Sequence, residues 1–102
     1  MHERIAKHNE EIAAACRRNH VRRLAIFGSA LRGDFNPERS DVDLIVEFEP
    51  LSIVQYSESY FALLEDLSRI FARKVDLVVL RNIKNPYFLK EVESTQETLY
   101  AA

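Results

Sequence analysis

The stretch DVDLIVEF, residues 41–48, decides how this chain is to be read. Side chains alternate between the two faces of a β-strand. As a strand, the stretch puts Val42, Leu44, Val46 and Phe48 on one face and Asp41, Asp43, Ile45 and Glu47 on the other. The first set is a core face. The second carries two aspartates about 7 Å apart, from a rise of roughly 3.4 Å per residue, close enough to lean toward a common ligand.

Upstream, VRRLAIF (21–27) reads as a strand that runs straight into Gly28. Ser29 to Arg32 read as one helical turn, and GDFNPERS (33–40) as a loop by its Gly, Asn, Pro and Ser. Residues 2–18 read as a helix with Ile5, Ala6, Ile12, Ala13 and Cys16 on its apolar stripe. Its Arg17-Arg18 pair falls near the C-terminus, where the helix dipole favours cations.

Downstream, Pro50 ends the strand, and residues 51–71 read as a long helix whose core stripe is Val54, Phe61, Leu64, Leu67 and Phe71. KVDLVVL (74–80) is a third strand, NIKN a turn, and Pro86 suits the first turn of a short helix through about Glu93. ETLYA (97–101) is either a last strand or a frayed tail. This order predicts an α/β fold, a small mixed β-sheet with helices packed mainly on one face.

The 102 residues predict a single domain spanning 1–102. The net charge of −2 supplies no overall attraction to nucleic acid or to an anionic membrane. Cys16 is the lone cysteine, so no intrachain disulfide forms and a cytoplasmic setting fits. The charged first twenty residues are no signal peptide, and no apolar run approaches the roughly 20 residues of a membrane span. A cytoplasmic protein without direct nucleic-acid or membrane contacts is expected.

In the third strand Val75, Leu77 and Val79 face one way and Asp76 the other. If the two acidic strands are neighbours, Asp76 joins Asp41 and Asp43 on one face. Carboxylates about 5 Å apart repel by about 3 kcal/mol per pair at an effective dielectric of 20. No base stands at a fixed spacing to compensate, so a divalent cation is implied, and an all-oxygen donor set suits Mg²⁺ or Mn²⁺. Gly28, lacking a Cβ, lets a phosphate come close. Ser29 opens a turn whose N–H groups attract anions, and Arg32 lies on the same side of that turn. A triphosphate held between this cradle and the carboxylates is the arrangement for metal-assisted nucleotidyl transfer.

With Gly28-Ser29, then Asp41-Val42-Asp43, then Asp76 on a later strand, the chain resembles the minimal nucleotidyltransferase (MNT) family of the DNA-polymerase-β-like nucleotidyltransferases. FGSALRGD and SDVDLIVEF carry the closest likeness, and the resemblance covers nearly the whole chain. The spacer between Ser29 and Asp41 is eleven residues, one more than is common in the family, the extra residue falling within Asn36 to Ser40. The resemblance implies the nucleotidyltransferase fold, ATP as substrate, catalytic and metal roles for Asp41, Asp43 and Asp76, and a nucleotide-binding role for Gly28, Ser29 and Arg32. It also implies a HEPN-domain RNase toxin as partner, with this chain as an antitoxin moving AMP from ATP to a tyrosine of the toxin. The alternative is a non-catalytic antitoxin that neutralises its partner by binding alone. A homo-oligomer is compatible with either.

His2, His8 and His20 show no metal-ligand spacing and are expected at the surface, and Arg17, Arg18, Arg22 and Arg23 read as a solvated helix end. Tyr56, Tyr60 and Leu63 fall on a helix side offset from the Phe61, Leu64, Leu67 stripe. That side and Tyr87-Phe88 are either ordinary core or a partner surface. The expectation taken forward is that Tyr56 and Tyr60 meet a second chain.

Overall fold

The computed structural model describes residues 8–27 and 42–102. Their elements run α1 (Asn9–Arg18), β1 (Val21–Phe27), β2 (Val42–Phe48), α2 (Ile53–Phe71), β3 (Val75–Val79), a 3₁₀ turn (Leu80–Asn82), α3 (Pro86–Thr95) and β4 (Glu97–Ala101). The expected strands at 21–27 and 74–80 are present, and ETLYA forms the fourth strand rather than a frayed tail. Residues 2–7 of the expected first helix, and the turn and loop expected over 29–40, lie outside the described residues.

The strands form one mixed sheet in the order β3-β2-β1-β4. β1 is antiparallel to both β2 and β4, and β2 is parallel to β3. A parallel pair cannot be joined by a tight turn, and α2 makes that crossover. Its start is set locally. Ser52 accepts a hydrogen bond from the Gln55 N–H at 3.2 Å, and the Gln55 side chain accepts one from the Ser52 N–H at 3.2 Å. That reciprocal pair satisfies two of the orphan donors of a helix start. The far end of α2 closes on Ala72, which holds φ 56° in the left-handed region, a position glycine fills most easily.

One face of the sheet is sealed by α1 and α2. Leu24 and Ile26 of β1, Val42, Leu44 and Val46 of β2, and Val75, Leu77 and Val79 of β3 pack against Ile12 and Cys16 of α1 and Leu63, Leu67 and Ile70 of α2. The strand alternation expected for β2 and β3 is what the core shows. Burial pushes the Cys16 thiol up to about 12, so it packs as a small apolar side chain. The helices are tied through Asp66, which accepts hydrogen bonds from Asn19 at 3.0 Å, Arg18 at 3.3 Å and Arg69 at 3.1 Å. Arg18 thus acts as a tether between helices and not only as a solvated end.

The expected core stripe of α2 holds in its second half, where Leu67 and Phe71 are buried and Leu64 packs on the core, and fails in its first half. Val54 and Phe61 are each 66% exposed, while Ser59, Leu63, Leu67, Ile70 and Phe71 are buried. Tyr56 and Tyr60, each half-buried, pack against the core. The Tyr60 hydroxyl donates to the Leu77 carbonyl at 2.7 Å. Tyr56 meets the Phe48 ring edge-on at 5.4 Å and lies under the Arg81 guanidinium at 4.5 Å. The helix has apolar residues on two sides, and its side-chain period does not choose between them. The tyrosines suit the inward side because each lays an apolar ring on the sheet while its polar tip reaches the sheet margin.

The opposite face carries a smaller cluster, Ala25, Phe27, Ile45 and Val92, with Val78, Leu80 and Ile83 packed against it. Among the described residues α3 is the α-helix on this face, and Val92 is its one buried residue. Two of the three described helices therefore share one face, as expected.

Candidate functional site

The register of the sheet builds the site. In the parallel β2/β3 pair Asp43 stands directly opposite Asp76, and in the antiparallel β1/β2 pair Phe27 stands opposite Asp43. Adjacent strands lie about 4.8 Å apart, so Phe27, Asp43 and Asp76 form a row across three strands. Because their neighbours Val42, Leu44, Val75 and Leu77 point into the sealed core, Asp43 and Asp76 project from the other face, beside the α3 side. Asp43 is half-buried and Asp76 exposed. The antiparallel turn of direction between β1 and β2 matters here. It brings the C-terminal end of β1, from which the chain enters Gly28, next to the start of β2 and its acids.

A cleft of about 320 Å³ opens over this row, lined among others by Phe27, Asp43, Asp76, Phe88, Glu91 and Thr95. Phe88, Glu91, Val92 and Thr95 follow the i, i+3, i+4, i+7 spacing that puts residues on one helix face, so α3 turns one side into the cleft. Asn85 caps that helix by accepting hydrogen bonds from the N–H groups of Tyr87 at 2.9 Å and Phe88 at 3.3 Å, and Pro86 occupies its first turn. The Phe88 ring meets Phe27 edge-on, 5.9 Å between centroids at 68°.

Of the residues expected at the site, Asp43 and Asp76 are brought together. Asp41, Gly28, Ser29 and Arg32 lie outside the described residues. Among the described residues no group of three or more His, Cys, Asp or Glu is placed to hold a metal. Two adjacent carboxylates that face one cleft, with no sulfur or imidazole donor beside them among the described residues, fit a hard cation such as Mg²⁺ better than zinc.

Glu91 and Thr95 were not foreseen. The signal for them was present in the spacing around Val92, the lone aliphatic residue in the second half of a short polar helix. Nearby on the β3 margin, burial first and then the charges of Asp76 and Tyr56 raise the Tyr60 phenol above its ordinary value. Tyr60 thus stays protonated and keeps its bond to Leu77. No helix among the described residues is long and apolar enough to cross a membrane.

The nucleotidyltransferase domain family matches residues 9–97. The "Putative protein adenylyltransferase MJ1379" of Methanocaldococcus jannaschii is 42% identical over 73 residues, which cover 72% of this chain and 71% of that protein. A solved structure described as a "putative minimal nucleotidyltransferase" is 27% identical with a TM-score of 0.67, covering 90% of this chain and 89% of that one. A chain from the solved complex of a tri-AMPylated Shewanella oneidensis HEPN toxin with MNT antitoxin shares the fold at 22% identity and a TM-score of 0.62, covering 96% of this chain and 73% of that one.

Proposed function

The chain belongs to the nucleotidyltransferase domain family, among its minimal members, and from that premise we propose that it is the antitoxin of a HEPN–MNT pair that transfers AMP from ATP to a tyrosine of its toxin in the cytoplasm. The observation that carries this reading is the in-register pairing of Asp43 and Asp76 at the floor of the cleft, one residue from where the chain enters Gly28-Ser29. The fold likeness to the chain from the HEPN toxin complex supports the choice of partner.

In this reading Asp43, with Asp41 two residues before it, and Asp76 would hold Mg²⁺ or Mn²⁺. Such a cation would supply Lewis-acid stabilisation of the charge that builds on the leaving group. Ser29 and the backbone at Gly28 receive the triphosphate, and Arg32 neutralises part of its charge. Asp76, at the exposed side of the pair, accepts the proton of the acceptor phenol, whose ordinary pKa is about 10. The phenolic oxygen then bonds to the α-phosphorus, the bond to the β-phosphate oxygen breaks, and pyrophosphate leaves with that electron pair.

The test is intact-mass analysis of a co-expressed HEPN partner. Wild-type protein with ATP and Mg²⁺ should add whole AMP units to the partner, and Asp43→Asn should add none while still binding it. Protection of cells by Asp43→Asn equal to wild type, with no added mass in the wild-type experiment, would instead establish neutralisation by binding alone.

A further inference from the structure

The adenylyl-transfer reading leaves the first turn of α3 without a role, and its geometry is unusual for a surface turn. Tyr87 is 84% exposed and Phe88 36% exposed; Phe88 lines the cleft and Tyr87 is its neighbour in the same helical turn. Neither is on a loose loop, because Asn85 and Pro86 fix the helix start beneath them. Phe88 is held further by its edge-on contact with Phe27, the residue paired with Asp43. An aromatic wall is thereby built one strand position from the acids. We infer that Phe88 and Tyr87 form the acceptor subsite, Phe88 receiving the aromatic ring of the acceptor inside the cleft and Tyr87 gripping the polypeptide around it at the rim. The inference rests on the transfer reaction proposed above.

Size and position favour the acceptor over the base of the nucleotide. At about 320 Å³ the cleft stands at the small end of ligand pockets, which run from roughly 300 to 1,000 Å³. A single aromatic ring fits a cleft of that size. Tyr87 lies outside the cleft lining, so it reaches only a ligand with bulk beyond the mouth. A polypeptide side chain entering from solvent has such bulk. Exposed tyrosine on a rigid helix end is also a common anchor at protein interfaces, and an aromatic guest extends the edge-on pairing that Phe27 and Phe88 already show.

Steady-state transfer to a short peptide with a single tyrosine, in Mn²⁺ and ATP, tests the assignment with Tyr87→Ala and Phe88→Leu. Both variants should raise the KM for the peptide about tenfold and leave the KM for ATP within about twofold of wild type, changes well inside the range of aromatic contacts at binding sites. Thermal melting checks that each variant is folded, and Tyr87→Ala keeps the test open if Phe88→Leu is not. A raised KM for ATP with an unchanged KM for peptide overturns the inference in favour of a base platform, and movement in neither constant overturns it outright. If the wild type transfers nothing, calorimetric binding of the same peptide decides separately. Binding that Tyr87→Ala weakens supports the subsite while the transfer reading fails. Absence of binding to wild type, or binding equal in both proteins, overturns the subsite.

Discussion

The two faces of one sheet are held in opposite ways. The face under α1 and α2 is closed, lined by β-branched and leucine side chains, and braced outside by the Asp66 cluster. The face under α3 is covered by one short helix anchored at Val92, and it keeps two carboxylates at the floor of a cleft. Carboxylates brought close together repel one another, and the closed face is where most of the apolar packing that holds the fold lies. The same strands serve both ends because alternate residues go to opposite sides.

The sharpest way to break this contrast is to remove a charge from the open face. Asp76→Asn should lower nucleotidyl transfer by about a thousandfold, some 4 kcal/mol at 1.36 kcal/mol per decade, while leaving the urea midpoint unchanged or slightly raised. A fall in stability comparable to the loss of activity would mean that Asp76 is structural. On the closed face the pattern should reverse. Leu67→Ala empties a fully buried position and should cost about 2–5 kcal/mol in urea unfolding. Phe61→Ser, one helix face away and largely exposed, should change stability by no more than about 0.5 kcal/mol. If Phe61→Ser is the costlier change, the inward side of α2 has been misassigned.

Val92→Ala probes the thin cover of the open face. It should cost about 1–3 kcal/mol, and its signature should be local: faster amide exchange in α3, with β1 and α2 still protected. A smaller loss concerns the brace. Burial alone would raise the Asp66 carboxyl, but hydrogen bonds from Asn19, Arg69 and Arg18 hold it below its ordinary value. The stabilisation is therefore fully present above the unfolded carboxylate pKa of about 4 and lost as pH falls through the folded value. Asp66→Asn should cost about 1 kcal/mol at pH 7, and the gap to wild type should close in urea titrations carried below pH 4.

How much of this was legible in the sequence differs from element to element. Period-two alternation assigned the faces of β2 and β3 residue by residue, because a strand buried on one side has only two choices and the apolar set selects one. The same reading placed Asp43 and Asp76 on one face, conditional on the strands being neighbours. Helix α2 was legible as a helix over 51–71, but its Ser52-Gln55 cap and the inward turn of its N-terminal half were found only in the structure. With Val54 and Phe61 on one side and Tyr56, Tyr60, Leu63 and Leu67 on another, hydrophobicity alone cannot say which side meets the sheet.

The sequence by itself determined the kinds and order of the described elements up to α3, the core face of β2 and β3, and the placement of Asp43 and Asp76 on the side away from the core. These follow from local periodicities and residue chemistry that act within a few positions. Tertiary structure alone decided three things: the parallel register that puts Asp43 opposite Asp76, the rotation of α2 that draws its tyrosines inward, and the placement of α3 so that Phe88 and Glu91 line the cleft. Each of these depends on how separate segments share limited space over one sheet, and no periodicity within a single segment carries that information.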